Sequence, residues 1–311
     1  MDAKLVRIYK VNFVPKNIKQ LKRLTIDDKA IKFLQPILLS DCHYYVLDDN
    51  TWYFTFFSGH SYQQNFYIHF LKLPTLKISH NEWINTTKDS FKNTVEDGRE
   101  FTLLTHLVYL QPEDGQLSTE LAEKASIAIR GTKAIKVENY RQGTNHFNHI
   151  DGRGLSFISF IGNISDHFER HVILLALAYA YLGAMEYLNN ELAKYSDQED
   201  NIALLTKLYE EAAKFNAKFF FNRPVQIQNT GLVASWNAIE ETLKIGAINQ
   251  ELVSQIENVH YILNLKYQQT MHSLELQRKE LDEKRNAKIA LWGLVIAAIS
   301  AIFPAIEFFL R

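Results

Sequence analysis

The first part of the chain alternates short apolar runs with polar breaks. VRIYKVNFV, HYYVL, TWYFTFF and FYIHFLKL are rich in aromatic and β-branched residues, the pattern of strands divided by turns. LTHLVYL continues the pattern and stops at QPEDG. STELAEKASIAIR, from Ser118 to Arg130, changes to helical spacing behind a Ser or Thr cap. A polar, glycine-bearing loop is expected next, RQGTNHFNHIDGRG from Arg141 to Gly154, and LSFISFIG then reads as a buried strand. Residues 1–160 are therefore expected to form an α+β (α/β) domain.

From Ser165 onward the spacing is helical, and residues 165–288 are expected to form a helical domain. Ser165 or Asp166 caps a helix running to about Tyr195 through HVILLALAYAYLGAMEYL. Its apolar centre, Val172 to Met185, is too short for a bilayer and suits a buried core helix. NIALLTKLYEEAAKFNAKFFF predicts a second helix, ended by Pro224. A third starts after Asn229-Thr230-Gly231. No proline falls between Val225 and Ala301, so it is expected to run unbroken as a stalk of ~80 Å. Leu252, Ile256, Val259, Leu263 and Tyr267 form an apolar seam along it. Such a helix packs against its counterparts in other subunits, so a homo-oligomer is expected.

The hydropathy changes again at the far end. Ile289 to Leu310 reads IALWGLVIAAISAIFPAIEFFL, with Glu307 its one ionisable side chain. As a helix it spans ~33 Å, close to the ~30 Å hydrocarbon core of a bilayer. It is expected to be a single C-terminal transmembrane helix, residues 289–310. Arg278, Lys279, Lys284, Arg285 and Lys288 precede it and only Arg311 follows, so the body is expected on the cytoplasmic side of an inner (plasma) membrane. MDAKLVRIYK lacks the apolar stretch of a signal peptide. Around the span, Ala290, Gly293, Ala297, Ser300, Pro304 and Glu307 share one seam of small, polar or helix-perturbing residues. Small residues allow close approach of membrane helices, and an intramembrane carboxylate faces other helices or water. The seam is the candidate surface for self-association and for a pore; Glu307 alternatively reaches the distal headgroups.

Composition narrows the function. Of 311 residues, 47% are apolar and 22% charged, enough to build a core. Lys and Arg number 34 against 35 Asp and Glu, so bulk nucleic-acid binding is not expected. The single cysteine, Cys42, excludes an internal disulfide and a Cys-rich zinc site.

Two constellations carry candidate chemistry. His146 and His149, with Asp151 two residues on, sit in the polar loop, and His167 and His171 share one helical face. Four imidazoles and a carboxylate suit a divalent cation if the intervening strand folds back; an ordinary polar loop and helix start is the alternative. Arg130, Lys133, Lys136, Arg141 and Arg153 lie beside Gly131, Gly143, Gly152 and Gly154. Arginine binds phosphate bidentately and glycine lets backbone approach it, so this is either an anion-binding site for a small-molecule trigger or a solvated basic loop. GTKAIK lacks phosphate-loop spacing, and no nucleophile elbow is present, so no enzyme is expected.

The stretch from NTGLVASWNAIEETLKIGAINQELVSQIENV through QRKELDEKRNAKIALWGLVIAAISAIFP resembles the CorA-like magnesium-channel superfamily. The resemblance implies an oligomeric funnel, a long stalk helix and a pore-lining membrane helix. That family's Gly-Met-Asn filter and second span have no counterpart before Arg311. The expectation is an oligomeric, membrane-anchored effector or channel whose cytoplasmic domain senses a ligand or protein partner and alters membrane permeability, as in bacterial antiviral systems. The alternatives are a divalent-cation transporter and a tail-anchored scaffold.

Overall fold

Strand β1, Ala3–Val11, is buried on both sides, and its alternation sorts the core into two layers. In the computed structural model the described residues are 3–15, 18–73, 83, 94–96, 99–162, 164–196 and 202–310. Antiparallel partners flank β1: β7, Gln64–Lys72, on one side and β9, Arg99–Leu110, on the other. Around them lie β2 (Lys22–Arg23), β5 (His43–Asp48), β6 (Thr51–Phe56), β8 (Thr94–Glu96), β10 (Arg141–Gln142), β11 (His146–Asp151) and β12 (Gly154–Ser159). The strand order is β10-β11-β12-β9-β1-β7-β6-β5-β2, with β8 on β9; β3 (Thr25–Ile26) and β4 (Lys29–Ala30) form a separate hairpin. Among the described residues only β12 and β9 pair in parallel, which makes the sheet mixed.

Register decides which side chains meet which layer. Val6 and Ile8 share a face with Leu107, Ile68 and Trp52. Tyr109 and Phe157, on that same face, touch Phe168 of helix α3, Ser165–Ser196, with ring centroids 5.4 and 5.8 Å apart. On the opposite face Leu5, Val108, Leu110 and Ile158 pack against Leu121, Ala125 and Ile129 of helix α2, Thr119–Arg130. Farther along it, Tyr9, Tyr53 and Phe101 form an aromatic cluster. Because both faces are covered, all of β6 is buried. Helix α2 begins where Ser118 accepts a hydrogen bond from the Leu121 N–H at 3.2 Å. It ends at Gly131, whose φ of 71° is the left-handed conformation that stops a helix.

α3 is apolar around most of its middle, Val172–Met185, because most of that stretch is covered. The sheet lies against one face, while α4, Ile202–Lys218, and α5, Thr230–Leu243, cover others. Tyr181 donates to the Phe219 carbonyl at 2.7 Å, and Trp236 to the Asn222 carbonyl at 2.9 Å, closing the far side. Ser165–Tyr195 is long and apolar enough to cross a membrane, and most of its apolar window is buried inside the protein. It is the central helix, not the C-terminal one, that meets this test among the described residues. The fold is mixed α+β, with six helices among the described residues, of which α1 is the short Pro36–Ser40.

Two sequence expectations need correction. RQGTNHFNHIDGRG is not a loop: most of it forms β10 and β11, because β11 finds a ladder on β12 from His146↔Ser159 to Asp151↔Gly154. The third helix is not unbroken either. Lys244 adopts φ 57°, ψ 35° and ends α5, and α6, Ile245–Leu310, starts at the next residue. Residues 1–256 form one compact unit and residues 257–311 a second. The second is helical through Leu310 and exposes Tyr261, Tyr267, Leu274 and Leu281.

Candidate functional site

The histidine set divides between the two layers. In β11, residues an odd number apart point to opposite faces, so His146 joins the α3 side while His149 and Asp151 join the α2 side. On the α3 side the His146 ring stacks on Phe157 at 4.1 Å and meets His171 edge-on at 5.3 Å. His171 Nδ1 lies 2.7 Å from the His167 carbonyl, and its Nε2 lies 2.8 Å from Ser235 Oγ. A carbonyl can only accept, so in the neutral ring Nδ1 carries the proton and Nε2 is an acceptor for the Ser235 hydroxyl, which also has the Gly231 carbonyl within reach at 3.0 Å. Burial pushes the pKa of His171 down to about 4. Burial, then the neighbouring His171 and His167, push that of His146 down to about 3. The His167 side chain is partly exposed and lies 3.8 Å from the Asp166 carboxylate.

On the α2 side, Asp151 is an ion-pair hub. Its carboxylate lies 3.1 Å from Arg130 and 3.6 Å from His149, and accepts from the backbone N–H groups of Arg153 and Gly154 at 2.7 and 3.2 Å. Burial alone would raise its pKa, but His149, the Arg153 N–H and Arg130 together hold it below the usual range. The structure therefore does not gather His146, His149, Asp151, His167 and His171 around one point. Among the described residues no group of three or more His, Cys, Asp or Glu side chains is placed to hold a metal ion. The strand alternation that separates them was legible in HFNHID, had the segment been read as a strand.

The basic loop is likewise spread out. Arg130 holds Asp151, Lys133 holds Glu123 at 2.9 Å, and Arg141 holds Glu241 of α5 at 3.2 Å. Lys136 stands 3.9 Å from Glu138. Arg153 is exposed, and it is the backbone N–H of this residue that bonds Asp151. Four of the five candidate anion ligands thus already face carboxylates.

The C-terminal candidate looks different. Ile289, Leu291, Trp292, Leu294, Val295, Ile296 and Ile299 are all exposed, from 42% at Val295 to 70% at Leu294. At 100° per residue they cover most of the helix circumference. The remaining arc carries Ala290, Gly293, Ala297 and Ser300, and a Cβ added at Gly293 would meet nothing within 4 Å. Pro304 and Glu307 lie outside the residues whose side chains are described.

Sequence reasoning missed a cleft of about 330 Å³ near one end of the sheet, lined by Lys4, Lys22, Lys72 and Trp52. Its residues come from β1, β2, β7 and β6, so only strand pairing assembles them. No family model, curated protein or solved structure matches the chain.

Proposed function

We propose that the protein is an oligomeric membrane effector anchored by residues 289–310, with the body on the cytoplasmic side, and that self-association of this helix alters membrane permeability in response to a ligand or partner of the body. The observation that carries the reading is the run of exposed large apolar residues from Ile289 to Ile299. A contiguous apolar surface of this kind calls for a membrane or protein partner. α3 satisfies the same hydropathy inside its own protein core, whereas the apolar side chains from Ile289 to Ile299 are exposed. Gly293, Ala297 and Ser300 on one strip supply the small surface through which such helices associate. The layout of a long helix leading into the span agrees with the CorA-like resemblance.

The test is ion release from liposomes carrying the full-length protein, with and without cell lysate, beside the Ser300→Leu variant. Unselective release that Ser300→Leu abolishes is expected. Magnesium-selective release would favour a transporter. No release in either condition would leave a membrane-anchored scaffold, and extraction of the protein from membranes by alkaline carbonate would overturn anchoring itself.

A further inference from the structure

The cleft that sequence reasoning missed brings like charges together. Lys4 of β1 and Lys72 of β7 are direct cross-strand partners, so their side chains leave the sheet on one face. Like charges placed so weaken a sheet unless something compensates them. Lys22 reaches the same face through two further ladders, opposite Val46, which is opposite Trp52. Lys22 and Lys72 have no ion-pair partner among the described residues, and Lys4 donates to the hydroxyl of Ser165 at 2.9 Å. Three cations therefore border a space of about 330 Å³, within the roughly 300–1,000 Å³ of small-molecule sites.

The wall between them supplies polar groups of a second kind. Trp236 and Trp83 each donate their indole N–H to a backbone carbonyl. Trp52 is only 8% exposed and packs on Phe70 at 4.3 Å, yet its N–H has no partner among the described residues. This N–H is not among the buried unpartnered polar atoms, so it is open to solvent and free to donate to a ligand. Asn50, Thr25, Asp49 and Glu169 also line the cleft, and Ser165 links Lys4 to the Glu169 carboxylate through hydrogen bonds of 2.9 and 3.2 Å. Burial holds the Glu169 carboxyl above its usual range, although Ser165 and Lys4 oppose the shift.

We propose that this cleft binds a small phosphorylated sugar compound, a sugar phosphate or a nucleotide, with Lys4, Lys22 and Lys72 on the phosphate, the Trp52 N–H as a further donor, and Asp49 and Glu169 on the sugar hydroxyls. Lysine ammonium groups and an indole N–H are donors without acceptor capacity, which suits an oxygen-rich anion. Carboxylates repel that anion but accept from hydroxyls, so the combination selects a molecule carrying both. The binding claim stands apart from the membrane reading; if both hold, this ligand is the trigger of the effector.

Calorimetric titration of the full chain with ribose phosphate, adenosine monophosphate, inorganic phosphate and ribose tests it. Both phosphorylated sugars are expected to bind, and ribose is not. Tighter binding of adenosine monophosphate than of ribose phosphate assigns the site to nucleotides, and equal binding assigns it to sugar phosphates. The exposed Lys72→Glu change is expected to weaken binding about tenfold or more. It would also place opposite charges across the β1–β7 ladder, so thermal stability should hold or rise while affinity falls. Trp52→Phe should weaken binding without abolishing it. No binding of either phosphorylated sugar, or affinity unchanged in the Lys22→Glu, Lys72→Glu double variant, would overturn the proposal. Inorganic phosphate binding as tightly as ribose phosphate would overturn its hydroxyl-reading half.

Discussion

His171 of α3 and Ser235 of α5 share a hydrogen bond of 2.8 Å inside the core, and it joins the helix that lies on the sheet to one that covers it. The imidazole there is held neutral, because His171 is 2% exposed and faces His146, His167 and Arg170 rather than a carboxylate. Its pKa falls from 6.5 unfolded to about 4 in the fold. As pH drops, the unfolded chain takes the proton first, so stability is full above about 6.5 and is lost as pH falls toward about 4. At about pH 5 His171 alone accounts for roughly 2 kcal/mol of loss. Urea midpoints at neutral pH and near pH 5 should show this slope, and His171→Asn should reduce it, leaving the share of His146, whose pKa burial also lowers to about 3. An equal slope in that variant would assign the acid sensitivity elsewhere.

β12 approaches β9 so closely at Gly154 that a Cβ there would overlap the His106 carbonyl oxygen and stand 2.9 Å from Ile129 Cγ2. The first contact is backbone and cannot yield cheaply. Gly154→Ala is expected to destabilise the protein by about 1–3 kcal/mol through overpacking. At Gly152, two residues away, an added Cβ would meet nothing within 4 Å, so Gly152→Ala is the matched control and should leave the denaturation midpoint nearly unchanged.

Lys244 ends α5 with φ 57°, a conformation that crowds any L side chain. Lys244→Gly should stabilise the native backbone there while adding freedom to the unfolded chain. The net expectation is a gain of about 0.5 kcal/mol, read from chemical denaturation. A loss of stability would show that the lysine side chain contributes more than its backbone strain costs.

Cys42 is buried, and burial pushes its thiol up to about 12. The thiolate is the reactive form, so an aromatic disulfide reagent at neutral pH should leave the folded protein unmodified. Addition of denaturant should release one equivalent of chromophore, since the chain has a single cysteine. Rapid labelling under native conditions would contradict the burial of this strand edge.

Much of the architecture was written locally. The aromatic and β-branched runs became β1, β5, β6, β7 and β9, Ser118 capped α2, and Ser165 opened the central helix where its hydropathy begins. Those features depend on neighbours in the chain, namely alternation, capping and turn residues. The core role of Val172 to Met185 followed from its length, and these residues are buried except the partly buried Tyr179, Leu182 and Gly183. The strand nature of HFNHID was hidden, because its polarity outweighs its pattern until β12 offers a hydrogen-bonding edge. That same pairing parts His146 from His149 and Asp151, and places Arg130 on Asp151. Sequence spacing alone cannot set which faces meet. The break at Lys244 carries neither glycine nor proline to announce it. The Lys4–Lys72 pair lies far apart in the chain and is joined only by register. By itself, then, the sequence determined the elements, the helix at the core and the apolar C-terminal run, which are set by local periodicity and hydropathy. The tertiary structure decided which charges and imidazoles share a face, because strand register, a long-range property, sets the direction of every side chain in the sheet.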